Sequence, residues 1–164
     1  MADEIERKFL VGAMDGVDLG DQRLSVRQGY LAVDGPVEVR VRFDETGARL
    51  TVKGGRGQVR TEVELELDRA AAEDLWPLTE GRRIEKVRHR VPIREGLTAE
   101  VDVYDGALAG LRTVEVEFAT ASGADAFEPP DWFGREVTGD AGWTNASLAR
   151  HGPPARPTGS ASAH

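Results

Sequence analysis

The chain has 164 residues, which suits a single domain and is long enough to bury a sizeable core. Its 29 acidic and 21 basic residues leave a formal net charge of -8, which argues against a general nucleic-acid or anionic-membrane surface. Cysteine is absent, so disulfides, thiolate metal sites and cysteine nucleophiles are excluded; without an apolar run of signal-peptide or transmembrane character, a cytoplasmic protein with no membrane partner is expected.

Alternating apolar and polar residues, punctuated by Gly, Asp and Pro, predict strands near 3–11, 26–32, 37–43, 48–53, 58–67, 86–92, 98–104 and 112–118. Asp34-Gly35-Pro36 and Glu45-Thr46-Gly47 read as tight hairpins, which makes the flanking strands antiparallel neighbours. Between strands, Asp68 is positioned to cap a helix running to about Thr79, with Ala70, Ala71, Ala72, Leu75 and Leu78 on its apolar side and Pro77 disturbing its last turn. This helix is expected to plug or brace a barrel. Ser122 to Phe127 and Thr144 or Asn145 to Arg150 read as two further short helices, and the Pro, Gly, Ala and Ser composition of 152–164 reads as a disordered tail after a domain spanning 1–151. The fold class is α+β and mainly β.

The strands carry charge in a particular way. Glu4, Glu6 and Lys8 share one face of the first, and the pattern returns as Arg40/Arg42, Glu62/Glu64/Glu66, Lys86/Arg88/Arg90, Glu100/Asp102 and Glu115/Glu117, with mostly Ile, Val, Leu or Phe between. A half-exposed antiparallel sheet also alternates in this manner. Surfaces that serve only solubility usually mix charge signs, however, whereas these strands are separately acidic or basic. Closed into a barrel with the charged faces inward, they would form a lumen whose carboxylates bind hard cations and whose cations bind an anion.

Glu4-x-Glu6-x-Lys8, followed in order by RxR, a lone Lys, ExE, KxR, ExD and ExE, resembles the signature of the CYTH superfamily, the triphosphate tunnel metalloenzymes. The resemblance covers roughly residues 3 to 150. It implies an eight-stranded antiparallel barrel forming a charged tunnel, with a few short packing helices, that binds a triphosphate and one or two divalent metals.

Glu4 and Glu6 on the first strand and Glu115 and Glu117 on the last become neighbours in a closed barrel, giving a hard oxygen site suited to Mg²⁺ or Mn²⁺. The resemblance makes these the metal ligands, with Glu62, Glu64, Glu100 and Asp102 as further ligands or a second site. Lys8, Arg40, Arg42, Lys53, Lys86 and Arg88 form the candidate phosphate clamp; Arg90 extends the same face at the rim or pairs with a carboxylate. Lys8 serves as a base or orients the attacking water, and Tyr30 matches a tunnel tyrosine of the short bacterial triphosphatases, thought to act with that lysine. Arg60, Glu66 and His89 are assigned structural roles, as are Trp132 to Val137 and Trp143 to Ala149, which close one barrel end.

Ser25 and Ser147 lack the His and Asp pattern of a covalent mechanism. The expected reaction is therefore metal-dependent hydrolysis of inorganic triphosphate to pyrophosphate and phosphate. A class IV adenylate cyclase, a thiamine triphosphatase and a non-catalytic polyphosphate or nucleotide binder remain alternatives, and a homodimer through an outer apolar face is compatible with the pattern.

Overall fold

Val39, Val41 and Phe43 alternate with Glu38, Arg40, Arg42 and Asp44, and this two-residue period forms a strand with one apolar and one charged face. The computed structural model describes residues 5–55 and 61–155, apart from the side chain of Glu95. Among these it shows the strands Ile5–Val11 (β1), Arg23–Asp34 (β2), Val37–Asp44 (β3), Gly47–Gly54 (β4) and Thr61–Leu67 (β5) in the first half. Arg83–Pro92 (β6), Thr98–Asp105 (β7), Arg112–Phe118 (β8) and Phe133–Glu136 (β9) follow. The short helices are Arg69–Leu75 (α1), Ala121–Ala126 (α2) and Asn145–His151 (α3). Both expected hairpins are present, with Gly35 at φ 54° in the first and Asp44 opposite Gly47 closing the second.

All pairings are antiparallel and run in the order β5-β4-β3-β2-β6-β7-β8-β1-β9. The first and last expected strands are neighbours, with Glu6 opposite Glu117 and Lys8 opposite Glu115. The expected ring of eight is not closed, because no ladder joins β5 to β1 or β9 among the described residues. The reason lies in the C-terminal segment. β9 takes the free edge of β1 at Phe9 and Val11, Val137 N–H donates to the Lys8 carbonyl at 2.8 Å, and Lys8 N–H donates to Thr138 Oγ1 at 3.0 Å. That stretch of edge is therefore already used. The sheet nevertheless curls into a tunnel: Arg40 and Lys53, from β3 and β4, line the same cavity as Glu6, Lys8 and Glu115, from β1 and β8 at the other end of the strand order.

The apolar faces point outward and are largely covered by helices and the C-terminal segment, except on β5, where Val63 and Leu65 are exposed. Phe9, Val101, Val114, Val116 and Phe118 pack with Ala124 of α2, Phe127 and Phe133. Val41, Phe43 and Ala48 pack with Ala72 of α1, and Trp76 meets Phe43 edge-on at 5.6 Å. α1 thus braces the outer wall and does not plug the tunnel. Asp68 stands at its N-cap without accepting a side-chain capping bond, and after Leu75 the chain continues as the 3-10 turn Trp76–Thr79, with Pro77 at its start. Gly29 is required where this turn crosses β2, since a Cβ there would lie 2.4 Å from Thr79 Oγ1.

α3 is the plug. Thr144 caps it by accepting from Ser147 N–H at 3.2 Å. Its Leu148, together with Trp143 and Ala146, packs on Tyr30, Ile84 and Tyr104, residues that share the charged face but occupy one end of it. Burying a side chain such as Leu148, 1 % exposed, contributes about 2 kcal/mol. Segment 143–149 closes this end as expected, whereas of 132–137 only Val137 reaches it: Phe133–Glu136 runs along β1 as β9, and Trp132 and Phe133 pack in the outer core. Arg7, on the outer face of β1, fastens the arrangement by donating to the Glu136 carboxylate at 2.6 and 2.9 Å and to the carbonyls of Ala124 and Phe127 at 2.9 and 3.0 Å.

Candidate active site

Strand alternation sends Glu6 and Lys8 of β1, Glu38 and Arg40 of β3, Lys53 of β4 and Glu115 of β8 into one cavity of about 420 Å³, floored by Tyr30 and by the segment from Val137 to Ala146. A second cavity of about 500 Å³, away from α3, is lined by Arg42, Arg88, Arg90 and Glu100 with the chain entering β2. Arg40 and Arg42 are two residues apart on β3, so the two cavities are successive stations on one charged face.

The β6–β7 wall is saturated with charge pairs. Asp102 is fully buried and accepts from Lys86 Nζ at 2.8 Å and from Arg88 Nε and Nη2 at 2.8 and 2.9 Å. Arg88 Nη1 also lies 2.6 Å from Glu100, and Arg88 Nη2 lies 4.0 Å from Glu115. Burial by itself would raise the Asp102 carboxyl, but the Lys86 ammonium and the Arg88 guanidinium pull it down to about 2. Burial lowers the Arg88 guanidinium too, and the surrounding carboxylates more than offset this, so it is raised. Lys86 is lowered, chiefly by burial and further by Arg88, with Asp102 opposing.

The opposite wall has unused donors. Arg40 Nε and Arg42 Nε are buried without a hydrogen-bond partner among the described residues, although Arg42 Nε lies 3.4 Å from Asp44, and on the next strand Lys53 lies 3.7 Å from Glu62. Burial lowers the Arg42 guanidinium, and the neighbouring Arg88, Arg40 and Arg49 add to the effect. A buried guanidinium nitrogen without an acceptor is suited to receiving an anion.

Lys8 sits where the walls meet. Its Nζ donates to the Trp143 carbonyl at 2.7 Å and lies 3.5 Å from Glu115. Tyr30 is 1 % exposed and accepts from Gln28 Nε2 at 3.1 Å, which leaves its own O–H free to donate. Burial pushes the Tyr30 phenol up, against the pull of Arg40, so the hydroxyl keeps its proton at neutral pH.

The expected acidic residues are distributed unevenly. Glu6 and Glu115 line the inner cavity and Glu100 the outer one. Glu117 is exposed opposite Glu6. Glu62 and Glu64 are exposed on β5, and Glu62 is 3.7 Å from Lys53. Glu4 and Arg60 lie outside the described residues. No group of three His, Asp or Glu side chains among the described residues is close enough to chelate a metal unaided. The donor set consists of hard carboxylate oxygens, which fits a small divalent cation that takes one or two carboxylates and completes its shell with water and phosphate oxygens.

Alternation in Glu38-x-Arg40-x-Arg42-x-Asp44 places Glu38 and Asp44 on the charged face as well, a signal available in the sequence that the arginine pair overshadowed. The Trp143 carbonyl and Thr138 reach Lys8 only through the tertiary fold. His89 is on the outer face, half-buried between Arg23 and Val101, as a packed residue.

The CYTH domain model matches residues 2–139. An inorganic triphosphatase of Nitrosomonas europaea is 44% identical over 147 residues, covering 89% of this chain and 96% of its own. An inorganic triphosphatase of Acetivibrio thermocellus is 38% identical over 153 residues, covering 92% and 96%. A crystal structure of an inorganic triphosphatase superposes with a TM-score of 0.76 at 42% identity, covering 94% of this chain and 99% of that one. With the family model spanning most of its length and the charged tunnel in place, the chain belongs to the CYTH domain family.

Proposed function

We propose that this chain is a metal-dependent hydrolase that cleaves a phosphoanhydride bond of inorganic triphosphate, with water, to pyrophosphate and phosphate. The observation that carries the reading is the cavity in which Arg40, whose Nε is buried without a hydrogen-bond partner among the described residues, joins Lys8, Glu6 and Glu115. It offers donors for a highly charged anion beside oxygen ligands for a cation. The similarity to inorganic triphosphatases along nearly the whole chain supports the same reading.

In this account Arg40, Arg42 and Lys53 hold the phosphate oxygens from one wall, and Lys86 and Arg88, fixed by Asp102, hold them from the other. Glu6 and Glu115, with Glu117 opposite Glu6, hold the divalent cation, Glu4 being added to the ligand set on its place in the sequence pattern alone, and Glu62, Glu64 and Glu100 complete its surroundings. Bound there, Mg²⁺ or Mn²⁺ would neutralise charge on the phosphate oxygens and the attacking water. Asp102, with both oxygens already engaged, contributes by orienting Lys86 and Arg88. Lys8 retains a donor beyond those given to Trp143 and Glu115, and uses it to orient water or a terminal phosphate oxygen. Tyr30, protonated, donates from the floor.

The three tryptophans do not offer a surface for a base or thiazole. Trp76 packs on Phe43, Trp132 on Phe133, and Trp143 is buried beneath α3. This favours an inorganic chain over a nucleotide or thiamine triphosphate. Among the described residues no helix is long and apolar enough to cross a membrane, and we place the enzyme in the cytoplasm.

Phosphate release from tripolyphosphate, ATP and thiamine triphosphate, with Mg²⁺, Mn²⁺ or EDTA, tests the proposal. Metal-dependent release with tripolyphosphate preferred is expected. Equal rates on all three would overturn the inorganic specificity, and no release from any would overturn the hydrolase reading.

A further inference from the structure

We propose that Thr138 and Glu136, held by Arg7 on the outer wall, are positioning residues that set the place of Lys8 and, through it, the rate of triphosphate hydrolysis. This rests on the triphosphatase reading and goes beyond it, since neither residue belongs to the phosphate clamp or to the cation site.

Lys8 lies on β1, along the edge that β9 occupies only as far as Glu136. Where a ladder stops, the next backbone N–H needs another acceptor. The Thr138 hydroxyl supplies it, accepting from Lys8 N–H at 3.0 Å, while Val137 N–H donates to the Lys8 carbonyl at 2.8 Å. Both main-chain polar groups of Lys8 are thus held by successive residues of the C-terminal segment.

A hydroxyl can donate or accept, and its direction here is fixed from the outer wall. Thr138 Oγ1 donates to Glu136 Oε2 at 2.7 Å, and Arg7 donates to the same carboxylate through Nε at 2.9 Å and Nη2 at 2.6 Å. The Arg7 hydrogen bonds pull the Glu136 carboxyl down to about 2, with Thr138 adding to the effect, so it is an acceptor at neutral pH. The Thr138 proton therefore points to Glu136 and a lone pair to Lys8. Arg7 is anchored in turn by the carbonyls of Ala124 and Phe127.

The same segment also holds the far end of the lysine. Asp140 N–H donates to the Val137 carbonyl at 3.0 Å, Trp143 N–H donates to the Asp140 carbonyl at 3.1 Å, and the Trp143 carbonyl accepts from Lys8 Nζ at 2.7 Å. A shift of this one stretch moves the main chain and the ammonium of Lys8 together. Reacting groups lose rate steeply when misplaced by about an ångström. Glu136 is neutralised by Arg7 on the outer wall, so its part is geometry and not tunnel charge. The consequence belongs in kcat more than in KM.

The test uses Thr138→Val, which keeps the side-chain shape and removes the hydroxyl. Thr138 is exposed, so water replaces it at the Lys8 N–H and the fold is retained. The expected result is a fall of roughly ten-fold in kcat for metal-dependent tripolyphosphate hydrolysis, with KM changed by less than about two-fold. Thr138→Ser recovers most of the loss, and Glu136→Gln gives a smaller fall in the same direction. The chain has three lysines, so NMR of isotope-labelled lysine reads Lys8 beside Lys53 and Lys86 as internal controls. In Thr138→Val the Lys8 side-chain signal should move while the other two stay in place. An unchanged kcat would overturn the proposal, as would a fall in kcat with the Lys8 signal unmoved or with all three signals displaced alike. Should the wild type fail to hydrolyse tripolyphosphate, the hydrolase reading fails, and the lysine spectra decide the positioning separately: displacement confined to Lys8 supports it, and any other pattern overturns it.

Discussion

The β6–β7 wall and the β4–β5 edge both alternate charge with apolar residues, yet they are built on opposite terms. In the first, Lys86 and Asp102 are buried and Arg88 joins them, so that each of these three charges has its counter-charge in place. In the second, Glu62 and Glu64 are exposed, Lys53 is 3.7 Å from Glu62, and among the described residues β5 pairs with β4 alone. One wall is organised before any ligand arrives. The other keeps its charges in water, where they are free to be spent on a cation and a phosphate chain. Buried pairs lend rigidity at a desolvation cost, whereas exposed pairs hold little energy and rearrange freely.

Breaking the organised wall should have the largest effect. Asp102→Ala leaves Lys86 and Arg88 buried without their carboxylate and should lower stability by about 3–5 kcal/mol in urea unfolding. A loss below 1 kcal/mol would mean that the wall is not held by this triad. Arg42→Ala, on the facing wall, should raise KM for tripolyphosphate about ten- to a hundred-fold with a smaller change in kcat. Unchanged kinetics would remove Arg42 from the clamp.

Acid should separate the two regions as well. Asp102 titrates near about 2 in the folded chain and near about 3.9 when unfolded. Its depressed pKa contributes stability that is fully present above pH of about 4 and is lost as pH falls through about 2. Asp102→Asn should flatten that part of the stability profile measured without metal. An identical profile would show that other carboxylates govern it. The smallest effect belongs to the edge: Glu64→Gln should change stability by less than about 0.5 kcal/mol while raising the metal concentration needed for half-maximal turnover. A large loss of stability would show that β5 is organised in the same way as β6 and β7.

Much of this was legible from alternation. Glu6, Lys8, Arg40, Arg42, Lys53, Lys86, Arg88 and Glu115 share a face because strand side chains repeat every two residues, and local spacing is enough to see it. The open seam was not legible. It depends on β9, whose Phe133–Glu136 includes Gly134 and carries no long alternating pattern, capturing an edge of β1 more than a hundred residues away. Nor did spacing distinguish Asp102 from Glu100, since only the packed structure shows one of them buried between two cations. The change from charged to apolar on the tunnel face, at Tyr30, Ile84 and Tyr104, became intelligible once α3 was seen lying against it.

The most direct measurement is metal-dependent phosphate release from tripolyphosphate by the wild type and Glu6→Gln, with thermal unfolding of both as the control for folding. The account predicts that Glu6→Gln melts at the same temperature and loses turnover by at least about a hundred-fold, because a lumen carboxylate has been replaced by a neutral isostere. Undiminished turnover at equal stability would contradict it and place the cation away from the first strand.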